Sequence, residues 1–261
     1  MRAIILAAGR GTRLHPHTEN TPKCLTELGG MTLIGRQVAT LRSGGVDDIV
    51  IAAGYKAEML ELPGTRMVLN PNWEFTNMVE TLFCAEAEFG EEVIVSYGDI
   101  VYEPRVLAAL LTSRYEISVA VDENWRAYWE HRFEDPSNDA ESLRLNEEGR
   151  ITDIGNPVSD ISEIEAQYMG LMRFKGGGVR ALKEARNNFS PFHRPWMENR
   201  PPEQAYMTDL LMEMVLMGFP VHAVPVEGGW LEIDTVKDYE TAAAMIENGT
   251  IDRFFDPSAS V

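Results

Sequence analysis

The chain has 261 residues, 44% of them hydrophobic and 25% charged, which is typical of a globular protein with a core large enough for one α/β domain. The formal net charge of −18 argues against non-specific binding to nucleic acid or to an anionic membrane. Two cysteines, Cys24 and Cys84, are too few for a disulfide framework and match no zinc motif, so we interpret them as unreactive packing residues. With no signal-peptide pattern and no apolar stretch of about 18 residues, we expect a cytoplasmic protein.

The first half of the chain alternates strand-like and helix-like segments. Short apolar runs predict buried strands at residues 3–7, 49–53, 66–70, 91–99 and 117–121. Helices are predicted at residues 33–42, 57–62 and 78–89 and after Pro104. This alternation indicates a mainly parallel sheet covered by helices on both faces.

The pattern changes in the second half. A hairpin is predicted over residues 141–155 with its turn at 147–149, followed by a strand at 166–174. Helices are predicted at 179–187 and 203–217, strands at 221–226 and 229–234, and a closing helix at 236–247. Residues 190–202 contain four prolines and are predicted to form an ordered loop. We therefore expect one Rossmann-like α/β domain over residues 1–261, with antiparallel additions in its second half.

The loop after the first strand has the composition of a phosphate-binding loop. Gly9 and Gly11 are expected to adopt positive φ and turn their N–H groups toward phosphate oxygens. Arg13 and Lys23 add cations to an acidic chain, and arginine can bind two phosphate oxygens at once. The chain has no Gly-Lys-Ser/Thr of a P-loop, and Leu14 replaces the third glycine of a dinucleotide fingerprint.

The longer string "LAAGRGTRLHPHTENTPKCL" is more specific. It resembles the signature of the nucleotidyltransferases that activate phosphorylated sugars and alcohols with a nucleoside triphosphate, and matches it at Leu6, Ala7, Ala8, Gly9, Gly11, Thr12, Arg13, Leu14, Pro16, Thr18, Pro22 and Lys23. "SYGDI" is similar to the family's metal-binding Gly-Asp, and "WLEIDTVKDYETA" to its late acidic segment. The resemblance implies the fold of nucleotide-diphospho-sugar transferases.

Within that superfamily, the ending "EIDTVKDY" and the middle segment "DENWRAYWEHRFEDPSNDAESLRL" look most like the phosphocholine and phosphonate cytidylyltransferases. That resemblance implies transfer of CMP from CTP to phosphocholine, 2-aminoethylphosphonate or a related phosphonate, with release of pyrophosphate. Two alternatives stay open: a sugar-1-phosphate nucleotidyltransferase using UTP or dTTP, and a non-catalytic nucleotide-sensing subunit. Asn156 stands where sugar-activating relatives often carry a lysine, which weakens the sugar alternative.

The resemblance also implies that the two halves of the chain bind different substrates. Residues 1–122 would form the nucleotide-binding half, with contacts from Leu6, Ala7, Ala8, Gly9, Gly11, Thr12, Asn77, Thr81, Tyr97 and Gly98. The catalytic cations would be Lys23 on the α-phosphate and Arg13 on the leaving pyrophosphate. Asn77 is also a candidate helix cap that forms a capping box with Glu80.

Residues 123–261 would bind the acceptor and complete a magnesium site. Asp99 and Asp234 each follow an apolar strand and are the predicted ligands of Mg²⁺. The alternative is that Asp99 caps a turn and Asp234 caps the helix from Val236.

The acceptor site is predicted from aromatic and charged residues of the second half. Aromatic faces with an acid suit an ammonium group, and arginines suit a phosphate or phosphonate. The predicted acceptor residues are Arg126, Trp129, Arg132, Tyr168, Gly170, Tyr206 and Asp209. Trp125, Tyr128 and Trp196 are further aromatic candidates, with core packing as the alternative, and Asp139 and Glu141 are expected only to order their loop. The tail residues Phe254 and Phe255 pack on the body or on a partner, which leaves a homodimer open.

Overall fold

A seven-stranded sheet forms the centre of the molecule in the computed structural model, which describes residues 1–158, 160–189 and 200–259. The strands of the described residues are β1 (Arg2–Ala7), β2 (Glu27–Leu28), β3 (Met31–Thr32), β4 (Ile49–Ala53), β5 (Thr65–Leu69), β6 (Glu92–Tyr97), β7 (Ile100–Tyr102), β8 (Ile117–Asp122), β9 (Glu141–Leu145), β10 (Ile151–Pro157), β11 (Gln167–Lys175), β12 (His222–Val226) and β13 (Trp230–Glu232). The α-helices of these residues are α1 (Leu33–Ser43), α2 (Met78–Cys84), α3 (Pro104–Thr112), α4 (Trp125–Arg132), α5 (Gly177–Asn187), α6 (Met207–Leu216) and α7 (Val236–Glu247).

The strand order of the large sheet is β12-β8-β11-β6-β1-β4-β5. Neighbouring strands pair in parallel except at β11, which is antiparallel to both β6 and β8. Three small antiparallel sheets, β2-β3, β7-β13 and β9-β10, are attached to this frame. The predicted mixed, mainly parallel α/β architecture is therefore confirmed.

Local sequence explains where the first strands and helices lie. Residues 3–7 of β1 and all of β4 are buried, as expected for parallel strands covered on both faces. Helix α1 begins where the Thr32 hydroxyl accepts a hydrogen bond from the N–H of Gly35 at 3.1 Å. It ends at Gly44 and Gly45, and the positive φ of Gly45 turns the chain toward β4.

The predicted strands are all confirmed to within about two residues, whereas several predicted helices are wrong in extent. The helix predicted at 57–62 is a single 3-10 turn, Ala57–Met59, because Pro63 and Gly64 follow too soon for a second turn. The helix predicted at 78–89 ends as α2 at Cys84, since Glu86 and Glu88 place negative charge at a helix C-terminus. Most of the loop predicted at 190–202 lies outside the described residues.

The β7-β13 pair brings distant parts of the chain together. Ile100 in β7 pairs with Glu232 in β13, and the N–H of Ile233 donates to the carbonyl oxygen of Asp99 at 3.0 Å. Asp99 stands just before β7 and Asp234 just after β13. Antiparallel pairing therefore places both aspartates at the same end of this two-stranded sheet.

The last residues of the described chain pack on the body. Phe255 is fully buried under the guanidinium of Arg36, and Phe254 packs against the ring of Tyr128. The tail therefore offers no exposed aromatic pair to a second copy. Among the described residues no helix has the length and apolar character needed to cross a membrane.

Candidate active site

A cavity of about 260 Å³ opens at the carboxyl ends of β1 and β6, where open α/β sheets bind ligands. All ten residues predicted to bind the nucleotide line it, together with both predicted catalytic cations and both predicted metal ligands. The remaining lining residues are Cys24, Trp73, Thr76 and Met78, which the sequence analysis did not assign to it. We refer to this space as the nucleotide cavity.

Two glycines let the backbone close around this cavity, and a third differs from its prediction. Gly11 has a φ of +67°, and a Cβ there would lie 2.8 Å from the Cβ of Lys23. A Cβ on Gly98 would lie 2.6 Å from the carbonyl oxygen of Leu6, so only glycine fits between β1 and β6 at this point. The positive φ expected at Gly9 is wrong, and a Cβ there would meet open space.

The charged end of the nucleotide cavity is organised around one lysine. The Nζ atom of Lys23 lies 2.5 Å from Oδ2 of Asp99 and 2.5 Å from Oδ1 of Asp234. Arg13 contacts the other oxygen of Asp234 at 2.6 Å. Burial opposes the charged ammonium, but the attraction of the two aspartates outweighs it, so the pKa of Lys23 is raised. Lys23 therefore remains a cation in this buried position.

The helix-capping alternative does not hold for Asp234, whereas Asn77 is the N-cap of α2. Thr235, and not Asp234, caps α7, because its hydroxyl accepts from the N–H of Asp238 at 3.1 Å. Asn77 accepts from the adjacent N–H of Met78 and forms no capping box with Glu80, whose carboxylate pairs with Arg186 instead. Asp234 is therefore free of the helix end and faces the cavity.

A second cavity of about 270 Å³ adjoins the first, and we refer to it as the acceptor cavity. The two cavities share the lining residues Arg13, Met78, Tyr97 and Asp234. The acceptor cavity also contains four of the predicted acceptor residues, Trp129, Tyr168, Gly170 and Tyr206. Gly170 has a φ of +75°, and a Cβ there would lie 2.7 Å from the ring of Tyr97.

Three predicted acceptor residues lie outside the lining of this cavity. Arg132 is buried and pairs with Asp238 at 2.9 Å and Glu232 at 2.7 Å, so its guanidinium is already neutralised. Arg126 is directed to the surface and donates to the carbonyl oxygen of Ile161.

Asp209 is the third. It accepts from the N–H of Tyr206 at 2.7 Å at the start of α6 and pairs with Arg200. Trp125 and Tyr128 are buried in the core on α4, and neither lines the acceptor cavity. Trp196 lies outside the described residues.

Several carboxylates line the acceptor cavity. The sequence analysis expected some of them only to order their loop and gave others no role in the acceptor site. Asp139, Glu141 and Glu232 face it together with Asp234, whereas Arg13 is the one cation in the part of its lining that the structure describes. Burial, followed by the charge of Asp139, raises the pKa of Glu141 to about 7. Burial also raises the pKa of Glu232 to about 7 despite its pairing with Arg132. Among the described residues, four carboxyl groups and one arginine therefore line this cavity.

The two cysteines have different environments. Cys24 lines the nucleotide cavity next to Lys23, and burial raises the pKa of its thiol to about 12. It is therefore an uncharged wall residue, as expected from the sequence. Cys84 is exposed at the end of α2, so its predicted packing role is wrong.

The segment after β1 carries Gly11 and Arg13, Lys23 lies between two aspartates, and a second cavity reaches the same point. These are the features of an α/β nucleotidyltransferase. The family model described as "MobA-like NTP transferase domain" matches residues 3–159, and the chain belongs to that family.

Curated relatives agree with this class, one of them over most of the chain. The CTP:phosphoglutamine cytidylyltransferase of Campylobacter jejuni is 34% identical over 252 residues, which cover 92% of this chain and 98% of the relative. The choline-phosphate cytidylyltransferase of Streptococcus pneumoniae is 35% identical over 119 residues, 44% of this chain and 52% of the relative. Among solved structures, the inositol-1-phosphate CTP transferase from T. maritima aligns with a TM-score of 0.72 at 22% identity, over 98% of this chain and 97% of that chain. At that identity the structural likeness shows the fold.

Proposed function

We propose that this protein is a cytidylyltransferase that transfers CMP from CTP to a small phosphate or phosphonate acceptor carrying a positive charge. The observation that carries the proposal is the junction of the two cavities at Arg13 and Asp234. A nucleotide in the first cavity and an acceptor in the second would meet there, beside Lys23. Relatives named for CTP and for phosphate-bearing acceptors support the choice of substrates.

The reaction needs positioning and charge neutralisation more than acid–base chemistry. An oxygen of the acceptor phosphate attacks the α-phosphorus of CTP. The bond from that phosphorus to the α–β bridging oxygen breaks, and pyrophosphate leaves with the electrons of that bond. Because the acceptor is a dianion, no general base is required. Lys23 would stabilise charge on the α-phosphate, and Arg13 would hold the leaving pyrophosphate.

The aspartates at the junction fit a magnesium ion. Asp99 Oδ1 is buried and has no hydrogen-bond partner among the described residues, and Asp99 and Asp234 both reach the Lys23 ammonium. Mg²⁺ prefers a few carboxylate oxygens combined with water and substrate phosphates. No group of three or more acidic, histidine or cysteine side chains suited to a metal occurs in the described ranges, so triphosphate oxygens would complete the shell. When bound, the ion would withdraw charge from the triphosphate.

The acidic acceptor cavity supports a cationic acceptor. Glu141 and Glu232 line the cavity, as do the aromatic residues Trp129 and Tyr168. Carboxylates and aromatic faces bind ammonium groups, but they repel an acceptor that is only anionic. Phosphocholine, 2-aminoethylphosphonate and phosphorylated amino acids share the required combination of one phosphorus anion and one ammonium.

A matched acceptor pair tests this proposal. Pyrophosphate release is measured with CTP, Mg²⁺ and either phosphocholine or 3,3-dimethylbutyl phosphate, which replaces the quaternary nitrogen with carbon. A second pair is 2-aminoethylphosphonate and propylphosphonate. We expect each acceptor that carries an ammonium group to exceed the matched acceptor without it in kcat/KM by about tenfold or more, the scale of one desolvated cation contact. Turnover only of glucose 1-phosphate with UTP or dTTP would contradict the proposal, as would CTP binding without turnover of any acceptor.

A further inference from the structure

One wall of the nucleotide cavity contains a hydrogen-bond network centred on a buried asparagine. Asn70 follows β5, is 2% exposed, and lies outside the cavity lining. Its Nδ2 donates to the hydroxyl oxygens of Thr76 at 2.9 Å and Thr81 at 3.0 Å. Both threonines line the nucleotide cavity.

The orientation of the Asn70 amide is determined by its other partner. Its Oδ1 accepts from the backbone N–H of Asn72 at 3.0 Å. A backbone N–H can only donate, so this end of the amide is the oxygen and the other end is the NH₂ group. Asn70 therefore acts only as a donor toward the two threonines.

Both threonine hydroxyls also donate their hydrogens to backbone carbonyl oxygens. Thr76 donates to the carbonyl oxygen of Asn72 at 3.0 Å, and Thr81 donates to the carbonyl oxygen of Asn77 at 3.2 Å. A hydroxyl has one hydrogen and two lone pairs. Each threonine oxygen uses its hydrogen on a carbonyl and one lone pair on Asn70, and keeps one lone pair. The network therefore presents hydrogen-bond acceptors to a ligand in this part of the cavity.

We propose that Thr76 and Thr81, oriented by Asn70, select cytosine by accepting hydrogen bonds from its exocyclic 4-amino group. Under the proposed function, on which this inference rests, the triphosphate lies at the cluster of Lys23, Asp99 and Asp234. The base would then lie against the part of the lining that Thr76 and Thr81 form. The 4-position of uracil carries a carbonyl oxygen, which can only accept. The O4 atom of uracil and a threonine oxygen are both hydrogen-bond acceptors, so neither would be paired when they face each other. Such a mismatch discriminates strongly between otherwise similar ligands.

Binding of the free nucleotides tests the inference without knowledge of the acceptor. Calorimetry measures the Kd of CTP and of UTP with Mg²⁺ for the wild type and for Thr76→Val and Thr81→Val, which keep the side-chain shape. We expect each variant to reduce the ratio of the UTP Kd to the CTP Kd by about tenfold, the scale of one hydrogen bond. Asn70→Ala should lower the same ratio although Asn70 touches no base, whereas mere loosening of the wall would weaken both nucleotides equally.

The matched control is Thr112→Val. Thr112 is an exposed helical residue whose hydroxyl donates to the carbonyl oxygen of Ala108, four residues earlier, as Thr81 does to that of Asn77. This variant should leave the ratio unchanged. Thermal melting establishes which variants fold. If the buried substitution Thr81→Val does not fold, the binding ratio of Thr76→Val, at a half-buried loop position, tests the inference.

The outcomes separate this inference from the proposed function. If the wild type prefers CTP and the threonine and asparagine variants keep that preference, the inference is wrong and the proposed function stands. If the wild type binds CTP and UTP equally, or neither, the nucleotide assignment of the proposed function fails as well.

Discussion

The ammonium nitrogen of Lys23 lies 2.5 Å from a carboxylate oxygen of Asp234, although the two residues are 211 positions apart in the chain. The β7-β13 pairing makes this contact possible, because it places Asp234 beside Asp99 at the end of the nucleotide cavity. Lys23 thereby neutralises two carboxylates that would otherwise repel each other and a triphosphate. The contact joins the segment after β1 to the second half of the chain.

Replacing Asp234 tests its role at the junction of the cavities. Asp234→Asn keeps the side-chain shape but removes the charge that pairs with Lys23 and Arg13. We expect pyrophosphate release to fall by about 100-fold or more, with an unchanged melting temperature. Asp252→Asn, at an exposed position in a 3-10 turn, is the control and should retain full activity. Near wild-type turnover of Asp234→Asn would remove Asp234 as a metal ligand.

Lys23→Met separates transition-state stabilisation from substrate binding. The variant keeps a long apolar stem but removes the ammonium between Asp99 and Asp234. We expect kcat to fall by about 100-fold or more, the scale of losing one contact to developing charge. Lys183→Met, which removes a surface pair with Glu86, should have no effect. An unchanged kcat with a raised KM would assign Lys23 to ground-state binding alone.

Arg132 was predicted to contact the acceptor, but in the structure it forms ion pairs with Asp238 and Glu232. Arg132→Met tests whether these pairs stabilise the fold. The substitution leaves the buried carboxylate of Asp238 and the half-buried carboxylate of Glu232 without their cation. Breaking a buried pair in this way costs about 3–5 kcal/mol, which denaturant titration measures as the free energy of unfolding. Arg144→Met removes an exposed pair with Glu163 and should cost less than about 1 kcal/mol. Equal losses in the two variants would contradict the buried-pair interpretation.

Glu141→Gln changes how stability depends on pH. Burial, with the charge of Asp139, raises the pKa of Glu141 from 4.5 to about 7. The folded protein therefore keeps a proton that the unfolded chain releases above pH 4.5. The stabilising contribution of the protonated group is complete below pH 4.5 and is lost as the pH rises through about 7.

The free energy of unfolding of wild type and Glu141→Gln, measured from pH 4.5 to 7.5, gives the size of this effect. We expect the variant to gain about 1–3 kcal/mol relative to wild type across that interval. Glu247→Gln, at an exposed position near the end of α7, should show a constant difference. A constant difference for Glu141→Gln as well would mean that Glu141 titrates normally.

Half of the nucleotide-cavity lining was predictable because those residues lie in one short stretch of sequence, residues 6–24. Gly11, Thr12 and Arg13 belong to one loop, and their spacing carries the family resemblance. Asp99 and Asp234 were predictable because each follows an apolar strand. Their convergence on Lys23 required the β7-β13 pairing, which periodicity does not reveal.

The acceptor cavity was less predictable because its residues come from several separate elements. Trp125, Tyr128 and Trp129 have the i, i+3, i+4 spacing of a buried helix face, but the sequence analysis predicted no helix here and gave core packing only as an alternative. The pairing of Arg132 with Asp238 joins α4 to α7 and could not be derived from either segment alone. Charge by itself does not distinguish a ligand-binding arginine from one that is buried in an ion pair.

The most direct test of the central claim is phosphorus-31 NMR of CTP, Mg²⁺ and the preferred cationic acceptor with the wild-type protein. Transfer at the α-phosphorus predicts pyrophosphate and a new CMP–acceptor anhydride in equal amounts, with no product when the acceptor is omitted. CDP and inorganic phosphate, or CTP left intact with every acceptor tried, would contradict the claim that the two cavities join a nucleotide to a phosphate acceptor.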